Sequence, residues 1–219
     1  MNILDLLPTL LKGTAVTLEV LIGAAILAAI MAFLAGWGRV SIVKPICWIS
    51  TVYIEVFRGT SALVQLFWLF FVLPQFGIEL SPLPTAIIGL GLHIGAYGAE
   101  VFRGAVKNVP RGQYEAAKAI SLSRFKTMRK IIIPQAVPAM MPPFTNLVVE
   151  LLKATSLVSL ITLGDLTFNG QLLRSSTLRT TEILILLLVL YFIIASVLTF
   201  AMRRIEKKVS FGLDRGGAA

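Results

Sequence analysis

Opposite charges three residues apart recur along this 219-residue chain: Glu55 with Arg58, Glu100 with Arg103, and Glu150 with Lys153, the last followed by Asp165. On a helix, residues at this spacing share a face. A carboxylate and a cation held in a low-dielectric surrounding can grip a small solute that carries both charges, or can neutralise each other. Other chemistries find little to work with. A single cysteine, Cys47, and a single histidine, His93, supply neither a disulfide framework nor a multi-ligand metal site. Nor do they suit a membrane-embedded enzyme, which needs two histidines with carboxylates or a nucleophile with its base. The chain has no G-x-x-x-x-G-K-[ST] phosphate loop, so no nucleotide or other cofactor is expected on it.

The elements that must position these charges are apolar. A content of 57% hydrophobic and 14% charged residues, with a mean hydropathy of +0.86, excludes a water-soluble globule. Uncharged stretches at 20–38, 59–78, 80–99, 131–149 and 183–202, each about 19 or 20 residues, are long enough to cross a bilayer. The expected fold is therefore all-α integral membrane, with five transmembrane helices. A run at 154–164 is too short to cross alone; it reads as a continuation of the fourth span or a re-entrant piece. Residues 1–13, apolar and without a basic n-region, read as an uncleaved interfacial segment. Residues 14–205 form the membrane domain, and residues 206–219 a tail.

The net charge of +9 would suggest nucleic acid in a soluble protein, but here it is distributed by topology. Fifteen Lys and Arg fall in the loops at Arg39 to Lys44 and Arg103 to Lys130 and after position 202, against three (Lys12, Arg174 and Arg179) in the others. The positive-inside rule then puts the N-terminus outside, the C-terminus inside, the 103–130 loop in the cytoplasm and the 79–84 loop outside. No nucleic-acid partner is expected.

The 103–130 loop reads as helix, turn, helix. Pro110 and Gly112 open it, Tyr114, Ala117 and Ile120 make a narrow apolar stripe, and Ala116 and Ala117 keep one face thin. Such a helix fits a groove on another protein. The rival reading is a basic loop resting on anionic membrane lipid.

Glu115-Ala116-Ala117, followed by Ile131-Ile132-Ile133-Pro134-Gln135-Ala136, resembles the EAA loop of permease subunits in bacterial ABC importers. Ser121 stands where that pattern has Gly; serine is also a turn former. Arg58-Gly59-Thr60-Ser61, Ala96-Tyr97-Gly98-Ala99-Glu100, Arg111-Gly112-Gln113 and Leu152-Lys153-Ala154-Thr155-Ser156 are similar to the polar amino-acid uptake branch. Ala62, the 151–155 stretch and the tail Leu213-Asp214-Arg215-Gly216-Gly217 look closest to the ectoine/hydroxyectoine permease subunits.

The resemblance implies a second permease subunit, identical or homologous, two ATP-binding subunits and an extracytoplasmic solute-binding protein, in a bacterial inner membrane. It implies a zwitterionic solute such as ectoine, with polar amino acids such as glutamine, histidine or arginine as the alternative. It also assigns ATPase coupling to Gly112, Glu115, Ala116, Ala117, Ser121 and Pro134. A proton-coupled secondary carrier using the intramembrane carboxylates is the rival from another class.

Charges at membrane depth are costly and face a partner or an aqueous path. Glu55, Arg58, Glu150, Lys153 and Asp165 are the pathway candidates, each with an internal ion pair as its plainer reading. Glu100 with Arg103 reads as a helix-end pair, Glu19 as an interfacial residue, and His93 with Tyr97 as an interhelix hydrogen-bonding pair. Pro134, Pro138, Pro142 and Pro143 can kink the fourth span, as a hinge or as fixed shape. Gly23, Gly36, Gly89, Gly91 and Gly95 are expected to allow close helix packing.

Overall fold

Inside a bilayer a backbone must satisfy its own polar groups, and an apolar run does so as a helix. In the computed structural model, residues 3–210 are described, and no strand occurs among them. Four helices are long and apolar enough to cross a membrane, or five if one bent pair counts as a single span. The fold is all-helical, as the composition requires.

Helix α1 (Ile3–Arg39) runs for 37 residues with no break at residue 13, where the sequence suggested the end of a separate segment. Its early turns are held by protein, because Leu6 and Leu10 are fully buried with Leu166, Ile183 and Leu187. Helix α2 (Lys44–Gly59) and the following unit, α3 (Ala62–Phe67) continued by turns to Phe76, form the bent pair, at 104°. The span expected at 59–78 thus begins at the break. Thr60 and Ser61 are extended, and the Gln65 side chain folds back to donate to Phe57 O at 2.9 Å and Thr60 Oγ1 at 2.6 Å. Those bonds partly replace the helical donors lost at the bend.

Helix α4 (Pro82–Asn108) passes well beyond the expected end at Ala99, since Phe102, Ala105 and Val106 are buried in a second apolar cluster. Helix α5 (Arg111–Ala119) and helix α6 (Arg124–Thr127) follow, and α6 leads through a π-helical turn, Met128–Ile132, into α7 (Ile133–Ala154). A 3-10 segment, Thr155–Ile161, prolongs α7, so the short apolar run is a continuation of the fourth span. Thr162 then takes a left-handed φ of 61°. Helix α8 (Leu166–Thr177), not foreseen from the sequence, precedes α9 (Thr180–Ser210). The tail drawn from residue 206 is helical as far as Ser210; residues 211–219, with the Leu213 to Gly217 motif, lie outside the described residues.

The prolines of the fourth span do not interrupt it: α7 runs through Pro138, Pro142 and Pro143. Pro134 is prepared for. A proline ring crowds the carbonyl four residues back, and the π-helical turn immediately before it widens the helix, with Ile133 N–H bonding Met128 O. The same device precedes Pro74, where Leu73 N–H bonds Trp68 O after the π-helical turn Trp68–Val72.

The dominant contact is α1 against α4, and glycines set its spacing. A Cβ on Gly23 would lie 2.7 Å from Ile87, on Gly91 2.8 Å from Leu27, on Gly95 2.8 Å from Met31, and on Gly36 2.8 Å from Phe102. Gly89 meets Leu66 of α3 in the same way, at 2.8 Å. All five glycines singled out in the sequence are close-packing positions.

Gly13 performs the same service for α8, with a Cβ there only 2.7 Å from Asp165 O and 2.9 Å from Leu166 Cα, both backbone atoms. Gly13→Ala is therefore expected to destabilise the protein by about 1–3 kcal/mol in a detergent thermal melt. Gly104→Ala, in open space on α4, should leave stability unchanged or raise it by about 0.5–1 kcal/mol.

Candidate functional site

Two features are not explained by helix packing: an amphipathic helix on the polar loop, and a charged cleft between spans.

Helix α5 is opened by Pro110 and held on one side only. Ala117 is buried, the Tyr114 hydroxyl donates to Val106 O at 3.3 Å, and Gln135 Nε2 donates to Gln113 Oε1 at 3.2 Å. Burial pushes the Tyr114 phenol above its ordinary value, which keeps it a neutral donor. The helix is thus tied to the end of α4 and to the first turn of α7, where Pro134 also sits. Gly112, Glu115 and Ala116 are exposed. The expected apolar stripe is shorter than foreseen, because Ile120 is 69% exposed. The helix stops at Ala119, and Ser121 adopts φ 57°. Leu122 N–H bonds Ala117 O and Ser121 N–H bonds Lys118 O, a Schellman close that places Ser121 where glycine is favoured.

The cleft lies between α7 and α9. It encloses about 680 Å³ and is lined by Asn146, Glu150 and Lys153 from α7 with Thr199, Arg203 and Glu206 from α9. Glu150 and Lys153 are both exposed to it, and no ion pair joins them. Thr155 and Ser156, by contrast, spend their hydroxyls on Leu152 O and Lys153 O. Asn146 and the α9 residues were not picked out from the sequence; an amide inside an apolar span was the available signal for Asn146.

The other candidates separate. Arg58 makes no ion pair with Glu55; its guanidinium sits 5.2 Å from the Tyr97 ring centroid. Tyr97 stands against His93 at 5.3 Å, and His93 Nδ1 meets Gln65 Oε1 at 3.1 Å. Glu150 is within electrostatic reach of that same histidine. Of the two charges far apart in sequence, Arg58 stands against Tyr97, whereas no hydrogen bond or ion pair joins Glu150 to His93. Glu55 is exposed and joins no ion pair. Asp165 is fully buried and caps α8, accepting from Thr167 N–H at 3.1 Å and Phe168 N–H at 2.9 Å. Glu100 and Arg103 do pair, with three charge-assisted bonds of 2.6–3.0 Å and Arg39 Nε at 3.9 Å, but within α4 and not at its end, because the helix continues to Asn108. No cluster of three or more potential metal ligands occurs among the described residues.

An all-helical bundle with several helices of membrane-crossing length, an open charged cleft and an amphipathic helix on its basic loop has the build of a membrane transport subunit. Its residues 22–211 match the family described as the binding-protein-dependent transport system inner membrane component, and the chain belongs to that family. It is a permease subunit of the ABC importers, and not an enzyme. It is 45% identical to a probable amino-acid ABC transporter permease of Sinorhizobium fredii, over 94% of this chain and 89% of that one. It is 35% identical to the L-cystine transport system permease TcyB of Bacillus subtilis, over 92% and 87%. Among solved structures, the crystal structure of an amino acid ABC transporter with histidines superimposes with a TM-score of 0.86 at 30% identity, covering 95% of this chain and 99% of that one.

A non-glycine residue in the left-handed region costs about 1–2 kcal/mol. Ser121→Gly should therefore stabilise the close of α5 by about 1 kcal/mol, read as a higher melting temperature and stronger hydrogen-exchange protection at Leu122.

Proposed function

We propose that this chain is the permease for polar amino acids in an ATP-driven importer of a bacterial inner membrane. Its N-terminus lies outside and its C-terminus in the cytoplasm, where the fifteen-to-three bias of Lys and Arg puts them. Two permeases, identical or homologous, form the pathway. Two ATP-binding subunits supply the energy, so no cofactor is bound here, and an extracytoplasmic binding protein delivers the solute.

The observation that carries the solute reading is the open, unpaired state of Glu150 and Lys153 on one wall of the α7–α9 cleft. Opposite charges three residues apart would be expected to pair if their task were mutual neutralisation. Left apart, the carboxylate is free for an α-ammonium group and the lysine or Arg58 for an α-carboxylate, as an amino acid requires. The relatives are a probable amino-acid permease and an L-cystine permease, which favours this reading over ectoine. Glu55 remains a candidate at the pathway's edge, whereas the capping role of Asp165 favours support of α8 over solute contact.

Glu115, Ala116 and Gly112 form the exposed side of α5, the surface we assign to the ATPase groove. Through Tyr114 to Val106 and Gln113 to Gln135, a tilt of α5 would pull on α4 and α7 together. Helix α7 carries Glu150 and Lys153, so ATPase closure would move the cleft wall. Ser121 closes the helix and Pro134 sits at the α7 end of this linkage.

Uptake of labelled glutamine, arginine, histidine and ectoine by cells carrying the whole transport system tests this. Amino-acid uptake is expected to resist unlabelled ectoine, to disappear in Glu115→Arg at native protein level, and to fall about tenfold or more in Glu150→Gln. Uptake of ectoine that amino acids do not compete would overturn the solute assignment. Topology is checked separately in a Cys47→Ser background: a cysteine at Lys126 should react only from the cytoplasm and one at Glu79 only from outside.

A further inference from the structure

A second cavity, of about 710 Å³, lies between the end of α1, the inner side of α5 and the start of α6. Its walls divide by chemistry. Lys118 and Arg124 face it from the polar loop, and Trp37, Ile42, Phe125 and Met128 supply an apolar floor. No acidic residue lines it among the described residues. Both cations are exposed, and neither takes part in an ion pair there.

The apolar floor is continuous with the outer surface of α1. Phe33, 49% exposed, stands 5.6 Å from Trp37, which stands 5.9 Å from Phe125. Along the same helix Ile22, Ile26, Ile30 and Leu34 are also exposed, the surface a membrane helix turns to acyl chains. A ladder of rings thus leads from that surface to two unpaired cations beside the end of α1.

We infer that this cavity binds one anionic phospholipid of the cytoplasmic leaflet, with its phosphate between Lys118 and Arg124 and an acyl chain along Phe33, Trp37 and Phe125. A zwitterionic headgroup would bring its own cation to two others; an anionic one matches the site. A free phosphate or nucleotide would leave the aromatic floor unused. The lipid would bridge α1, α5 and α6, so the leaflet's composition would bear on how firmly α5 is seated. The inference rests on the cytoplasmic placement of the loop proposed above, though not on the solute.

The test is native mass spectrometry of the intact transporter released from nanodiscs containing equal amounts of phosphatidylglycerol and phosphatidylcholine. The wild type is expected to retain phosphatidylglycerol preferentially. Retention should fall about fivefold for each of Lys118→Glu and Arg124→Glu, and also in Phe125→Ala. Lys107→Glu, outside the cavity, should retain the lipid as wild type does. Equal retention of both lipids, unaltered retention in the two charge reversals, or displacement by glycerol phosphate as effective as by the whole lipid would overturn the proposal. Loss of the ATPase subunit without loss of lipid would instead make the cavity a protein contact. The readout requires no transport, so a wrong solute leaves it intact, and the cysteine labelling decides the topology independently.

Discussion

The close approach of α1 and α4 governs the architecture. In lipid there is no hydrophobic reward for bringing two apolar helices together, so association depends on dense van der Waals contact and on small residues that permit it. Gly23, Gly36, Gly91 and Gly95 each take a neighbour's side chain where a Cβ would stand. With that contact made, α4 becomes the most enclosed span, 67% buried over its apolar window, while α9 is only 11% buried. Helix α4 can then serve as the post against which α2, α3 and α7 lean, and it fixes His93 and Tyr97 in the interior.

From that post the functional parts follow as consequences. The bend after Gly59 is closed by Gln65, which also meets His93, so the break in the second span is anchored to α4. The same helix ends beside α5, whose tyrosine bonds its last turn. Near the loop-side ends of α1 and α4, Glu100 gathers Arg103 and Arg39, and Arg39 donates to Thr51 of α2 at 2.7 Å. A half-buried carboxylate shared by two guanidiniums ties three helices at the loop side. The cleft side has no such closure: its charges are open along α7 and α9.

Much of the fold was legible because apolar run length reports directly on the bilayer. The spans at 20–38 and 183–202 fall wholly inside α1 and α9, 80–99 is helical from Pro82 onward, and 131–149 begins in the π-helical turn and continues in α7. The failures are equally physical. The 59–78 stretch looked continuous since extended Thr60 and Ser61 carry no charge to mark a break. Helix α8 was hidden by its mixed composition, although Asp165 before Leu166 is an N-cap signal. Asp165 reads as a pathway candidate in sequence because a carboxylate in an apolar setting looks the same whether it serves a solute or caps a helix, and its bonds to Thr167 and Phe168 N–H are the part only the fold reveals. Ser121 shows the reverse: the missing glycine was visible, and the positive φ explains why the position prefers one.

What the sequence determined by itself was the class of environment, the bundle of spans, the basic loop and the motif that gives the family, since these depend on local composition and spacing. Only the tertiary structure decided which charges are spent and which are free. Three pairs share one spacing, yet Glu100 and Arg103 bond, Glu55 and Arg58 part, and Glu150 and Lys153 stay open. Pairing depends on what each side chain meets across the interhelix space. That is set by how closely α1, α4 and α7 approach, a distance no i, i+3 pattern contains.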